Sequence, residues 1–292
     1  LGITPAWDKI WISPKRNDNI QKTGIDERGR KQYIYHPDWL KVSSENKFSK
    51  MIDFGLSLPL IRGKIKYNMQ ESVLDREKII STIIWLLEHT FIRIGNEEYS
   101  KENNSYGLTT LRSKHVDIKP KEITLSFRGK SKVYNTLQIS NPTVVATIKK
   151  CVELPGYELF QYIDEDNNRH TVDSKDVNDF LKDITKKDFT AKDFRTWGGS
   201  NLSSNNLFHL GYANDKKTIT NNIKETVKKV SMHLNNTVAV CRSYYIHPTV
   251  FATYQKAVLV PHFSYYKKTG SKKDGLSWDE FALVKLLKKY SN

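Results

Sequence analysis

The chain has 292 residues, 38% of them hydrophobic, and carries 47 Lys and Arg against 32 Asp and Glu, for a formal net charge of +15. That length supports a sizeable core, with two domains or one and a small appendage, and the charge makes a polyanion the expected partner, bound through counterion release. No stretch approaches the ~20 apolar residues of a membrane-spanning helix, no secretory or lipidation motif is present, and the two distant cysteines, Cys151 and Cys241, make neither a disulfide framework nor a zinc site. A reducing compartment is expected.

Residues 1–46 are rich in Trp, Tyr, Pro and Gly, and runs such as Lys31-Gln32-Tyr33-Ile34-Tyr35-His36 alternate with the period of short strands. They form an expected β-rich N-terminal domain. Residues 47–71 read as a basic helix and connection, and 72–292 as a second, mostly helical domain. Within it Leu74, Ile79, Ile80, Ile83, Leu87 and Ile94 recur at helical spacing, with Gly95 as the expected C-terminal cap. Three short strands follow, Val116–Ile118, Ile123–Phe127 and Val133–Ile139, the last two joined by Arg128-Gly129-Lys130-Ser131-Lys132. Helical patterns cover 144–152, 174–184, 191–210 and 218–230. Thr190-x-x-Asp193 and Ser277-x-x-Glu280 are capping-box starts. Residues 264–275 read as a solvated Lys- and Gly-rich loop before the final helix. The fold class is α+β: a small β-rich piece, then a helical domain with a three-stranded sheet.

Five residues stand out as a set. Arg93 ends the long helix, Lys130 sits at a hairpin tip, Arg195 lies in the first turns of a capped helix, His233 follows another helix, and Tyr245 comes soon after. Taken singly, each reads as a solvated charge, a turn residue or an ordinary aromatic. Together they match the needs of phosphodiester transesterification. A tyrosine oxygen attacks phosphorus, guanidinium groups clamp the non-bridging oxygens, a histidine adds a hydrogen bond, and a lysine protonates the leaving 5′ oxygen. Nothing in this chemistry asks for a cofactor, and no carboxylate cluster reads as a metal cage.

These residues resemble the type IB DNA topoisomerases, in the compact form of poxviruses, giant viruses and many bacteria. The matching strings run in family order over nearly the whole chain. They are Pro5-Ala6-Trp7, Thr23-Gly24 through Gly29-Arg30-Lys31-Gln32-Tyr33, Phe91-Ile92-Arg93-Ile94-Gly95, Gly107-Leu108-Thr109-Thr110-Leu111, Phe127-x-Gly129-Lys130, Lys192-Asp193-Phe194-Arg195-Thr196-Trp197, and Thr237–Arg242 with Tyr245-Ile246-His247-Pro248. The resemblance implies that Tyr245 is the nucleophile of a 3′-phosphotyrosyl link, that Arg93, Arg195 and His233 stabilise the transition state, and that Lys130 is the general acid. It implies a monomer that clamps double-stranded DNA, with Arg30, Gln32, Tyr33, Tyr35, Tyr99, Lys192 and Arg242 as DNA contacts. The family's N-terminal domain has further strands before the Pro-Ala-Trp segment, so this domain is expected to be partial. A second departure is Ser243-Tyr244 before the nucleophile, where relatives carry a small residue next to it. Tyrosine recombinases use nearly the same catalytic set. They place His-x-x-Arg where this chain has Lys192-x-x-Arg195, and a helical domain where residues 29–36 read as β. A non-catalytic DNA-binding relative is disfavoured because all five catalytic positions hold competent residues.

Overall fold

The computed structural model describes residues 6–27, 29, 31–39 and 48–291. They divide into two compact units, residues 1–50 and 51–292. In the smaller unit, β1 (Asp8–Ile12), β2 (Ile20–Ile25) and β3 (Lys31–Tyr35) form an antiparallel meander with β2 in the middle. Thr23 pairs with Tyr33 and Gly24 with Gln32. The pleat sends Tyr33 and Tyr35 to one exposed face, where their rings stack 6.2 Å apart, and turns Gln32 to the other.

The larger unit is built around α2 (Arg76–Thr90), whose Ile79, Ile80, Ile83, Ile84, Leu86 and Leu87 are fully buried. A helix apolar on nearly every side has to be surrounded. Packed on it are α1 (Met51–Gln70), α4 (Pro142–Glu153), α5 (Ser174–Thr185) and α6 (Ala191–Leu210). Residues 51–70, expected as a basic helix and connection, are a full helix of this core, with Phe54, Leu58 and Ile61 almost wholly buried. Short α3 (Glu97–Asn103) leads to a second meander, β4 (Val116–Ile118), β5 (Ile123–Arg128) and β6 (Tyr134–Ile139). A small hairpin, β7 (Gln161–Ile163) and β8 (Arg169–Thr171), was not signalled by the sequence pattern. The chain closes with α7 (Lys216–His233), α8 (Val238–Tyr244), α9 (Pro248–Gln255), α10 (Leu259–Thr269) and α11 (Trp278–Tyr290). The architecture is α+β, and no described helix is long and apolar enough to cross a membrane.

Two expectations change. The long helix stops at Thr90, before Arg93 rather than after it, because Phe91 turns left-handed (φ 54°) and returns its N–H to Leu87. Gly95 serves a different purpose from a helix cap. The 93–95 segment runs beside 107–109, with Leu108 N–H donating to Arg93 O and Thr109 N–H to Ile94 O. A Cβ on Gly107 would come within 2.4 Å of Gly95 N, so only glycine permits that approach. The expected loop at 264–275 is helical up to Thr269, where Gly270 ends α10 at φ 63°.

A partly buried ionic cluster ties α1, α2 and α11 of this unit together. Arg62 on α1 donates from Nε to Glu88 on α2 at 2.8 Å, and bidentately to Glu280 on α11 at 2.6 and 2.9 Å. Glu280 also accepts from the Trp197 indole of α6 at 3.5 Å. Burial alone would raise the Glu280 carboxyl, but Arg62 outweighs it and holds the group ionised below its usual range.

Candidate active site

Helix α6 carries one half of the site. Its start is fixed by the Asp193 carboxylate, which accepts from the Thr190 N–H at 2.7 Å and hydroxyl at 3.0 Å and so sets Arg195 in the first turns, 3% exposed. The Arg195 guanidinium donates to Phe91 O and, at 2.6 Å, to Leu234 O. Each carbonyl belongs to a chain segment just past a helix end. The left-handed turn at Phe91 and the exit from α7 therefore aim both oxygens at one cation.

The same helix holds Tyr245. A Cβ on Gly199 would meet Tyr245 O at 2.5 Å, and Ser200 Oγ reaches that carbonyl at 3.4 Å while accepting from His247 N–H at 2.9 Å. Local sequence explains the rest. Tyr245 is the C-cap of α8, Ile246 is buried, the His247 ring caps α9 by accepting from Thr249 N–H, and Pro248 takes the first helical position. The Ile-His-Pro string is thus a joint between two short helices that fixes the tyrosine's backbone. The Arg195 guanidinium carbon sits 5.0 Å from the centre of the Tyr245 ring.

The other half comes from three loops. Arg93 donates from its terminal nitrogens to Asn235 O at 3.4 Å and to Asn236 Oδ1 at 2.6 Å. Lys130 stands on the β5–β6 turn, whose Ser131 and Lys132 have φ near 60°. Ile92, Arg93, Tyr106, Phe127, Gly129, Lys130, Asn135, Arg195 and Asn235 line one cleft.

Burial depresses the Lys130 ammonium below its ordinary value, and Arg93, Arg195 and Lys192 push it the same way against Tyr245. Burial by itself would raise the Tyr245 phenol, yet the attraction of Arg195, its hydrogen bond, and the charges of Arg93 and Lys192 bring it below 10.0. A phenol primed to lose its proton faces a lysine primed to give one up. Two buried donors here have no partner: Arg195 Nε and Asn236 Nδ2. Buried donors left unsatisfied cost ~1–3 kcal/mol each, so a site that keeps two is shaped for an acceptor. A tetrahedral oxyanion fits such a site.

The geometry brings together Arg93, Lys130, Arg195 and Tyr245, with Lys192 adding charge from the exposed start of α6. It does not bring in His233. That residue is exposed at the last turn of α7, and its ring Nδ1 hydrogen-bonds Lys229 O at 3.1 Å, on its own helix. Asn236, three residues on, is the side chain that lies beside Arg93. Its signal in the sequence was slight: an amide directly before Thr237, the residue that caps α8.

Among the expected DNA contacts, Tyr33 and Tyr35 are exposed, and Gln32 donates to Asp26 at 2.8 Å on the opposite face of β3. Arg242 is exposed and its guanidinium carbon lies 4.9 Å from the Phe251 ring centre, which pins α8 to α9. Arg30 and the Tyr99 side chain lie outside the described residues. No group of three or more His, Cys, Asp and Glu gathers as a metal site among the described residues.

Comparison with known proteins identifies the family. Residues 36–268 match the family model of the eukaryotic DNA topoisomerase I catalytic core. The chain is 33% identical over 262 residues to DNA topoisomerase 1B of Acanthamoeba polyphaga mimivirus, covering 87% of this chain and 78% of that protein. It is 32% identical over 110 residues to DNA topoisomerase 1B of vaccinia virus strain Copenhagen, covering 38% and 35%. It is also 22% identical over 232 residues to DNA topoisomerase 1 of rabbit fibroma virus, covering 78% and 69%.

Proposed function

The chain belongs to the type IB DNA topoisomerases, and on that basis we propose how its own residues carry the reaction. Tyr245 Oη attacks the scissile phosphorus of one strand of duplex DNA. The O–P bond to tyrosine forms as the bond to the 5′ oxygen breaks. The phenolic proton passes to solvent, and the Lys130 ammonium gives its proton to the departing 5′ oxygen. Arg93, Arg195 and Asn236 hold the non-bridging oxygens while charge builds on them. One phosphodiester is exchanged for another, so the 5′ hydroxyl can reverse the step without ATP. Between the two steps the free end turns about the intact strand and supercoils are lost.

The observation that carries this reading is the pair of unsatisfied buried donors, Arg195 Nε and Asn236 Nδ2, flanking a phenol whose ionisation is favoured by Arg195 and Arg93. Asn236 takes the transition-state role that the sequence gave to His233 because it, not His233, is bonded to Arg93. In the smaller unit, the stacked face of Tyr33 and Tyr35 is the DNA-contacting surface, with Arg30 and Gln32 as further contacts, and Tyr99 of the larger unit is another. Lys192 reaches phosphate, while Arg242 anchors α8. The enzyme works as a monomer in a reducing compartment, in keeping with two buried free thiols, Cys151 and Cys241.

The test is relaxation of supercoiled plasmid in EDTA, followed by denaturant trapping of the covalent adduct and peptide mapping. Wild-type protein relaxes the plasmid in steps and carries DNA on Tyr245. Full relaxation by Tyr245→Phe, or an adduct on Tyr244, would overturn the assignment.

A further inference from the structure

Lys130 is a long side chain on an exposed turn, and ordering a lysine costs up to ~2 kcal/mol. An acid that must deliver one proton along one bond needs its turn held in register with the nucleophile. The structure contains a device for this in Asn135 and Asn235. Asn135 is the second residue of β6, just beyond the turn, and is 7% exposed. Its Nδ2 donates to Val133 O at 3.1 Å, the carbonyl that also accepts Gly129 N–H at 2.7 Å. Its Oδ1 accepts from Asn235 Nδ2 at 2.7 Å, across 100 positions of sequence. Asn235 in turn is held left-handed at φ 47°, a conformation asparagine tolerates, and offers its own carbonyl to Arg93. The next residue is Asn236.

One amide–amide bond therefore joins the turn that bears Lys130 to the loop that bears Asn236 and receives Arg93. We infer that Asn135 and Asn235 are positioning residues that lock the Lys130 turn onto the oxyanion-holding loop, so that proton delivery to the 5′ oxygen stays in step with attack by Tyr245. The inference rests on Lys130 being the general acid. The bond touches neither phosphate nor nucleophile, so its loss should harm protonation of the leaving group and spare the attack.

A substrate whose 5′ bridging oxygen is replaced by sulfur separates these effects, because a thiol leaves readily as thiolate near its pKa of ~8.5 and needs no acid. The experiment measures single-turnover cleavage of the oxygen and sulfur duplexes by wild type, Asn235→Gly, Asn135→Ala, the double variant and Lys130→Ala. Asn235→Gly keeps the left-handed backbone and removes only the amide, so it reports even if the buried Asn135→Ala folds poorly. Each single variant is expected to cleave the oxygen duplex roughly 10- to 100-fold more slowly, and the sulfur duplex within about threefold of wild type. The double variant should be no slower than the worse single one. Equal slowing on both duplexes, or unchanged cleavage of the oxygen duplex, overturns the inference if sulfur rescues Lys130→Ala. If sulfur fails to rescue Lys130→Ala, the acid assignment itself is wrong and the inference falls with it.

Discussion

Gly199→Ala tests whether α6 sets the position of the nucleophile. A Cβ at this position would lie 2.5 Å from Tyr245 O and 3.2 Å from Leu234 Cδ1. Ordinary contact begins at 3.4 Å, so about 0.9 Å must be found, and the obstructing atom is backbone rather than a flexible tip. Two energies oppose each other. Alanine favours a helix interior by ~1 kcal/mol over glycine, while overpacking costs ~1–3 kcal/mol. Net destabilisation is then at most ~2 kcal/mol, and the fold should survive. The rate responds differently, since displacing a reacting group by ~1 Å costs ~10²-fold. Single-turnover adduct formation, measured beside the melting temperature, separates the two. Gly63→Ala on α1, where nothing lies within 4 Å of the added carbon, is the control; it should raise stability by ~0.5–1 kcal/mol and leave the rate alone. Adduct formation by Gly199→Ala within about threefold of wild type would refute the reasoning.

Asn236→Ala removes a buried donor and should slow single-turnover cleavage ~10²–10³-fold, whereas His233→Ala, at an exposed helix end, should stay within about threefold; the reverse order would restore the histidine. The cleavage rate should rise with pH as Tyr245 ionises and fall as Lys130 loses its proton, with both limbs below the values of the free groups, 10.0 and 10.5; Lys130→Ala should lose the alkaline fall. His247 is 6% exposed and burial pushes its ring down to about 4 from 6.5. The unfolded chain therefore binds the proton first, so stability declines as pH falls from 6.5 towards 4, by about 3 kcal/mol from this residue. Denaturant midpoints across that range should show the decline, and His247→Asn, which keeps a capping acceptor, should flatten it.

The sequence made the core helices, the β5–β6 turn and the string around Tyr245 legible because each is governed by local periodicity, capping or a specific motif. It was less informative where the answer depends on how a chain leaves a helix. Arg93 was recognised but assigned to the helix itself, since nothing in Thr90-Phe91 announces a left-handed turn at a bulky aromatic. His233 drew attention as an imidazole twelve residues before Tyr245, and residue type outweighed direction: at the end of α7 its ring turns back along the helix. Asn236 and the Asn135–Asn235 bond were out of reach, because an amide pairing across 100 positions leaves no trace in spacing. The 264–275 stretch was misread because lysines and tyrosines on an exposed helix face look like a loop when hydropathy is the guide.

The Arg62 cluster couples α11 to the helix that carries Arg195. Its donor lies on α1 and its acceptor Glu280 on α11, more than two hundred residues apart, and Glu280 also takes the indole N–H of Trp197, two residues from Arg195 on α6. Arg62 keeps 31% of its side chain exposed and has Glu88 and the Gly275 carbonyl as further acceptors. Loss of Glu280 is therefore expected to cost less than the ~3–5 kcal/mol of a fully buried broken pair, and to be felt at α6 as well as at α11.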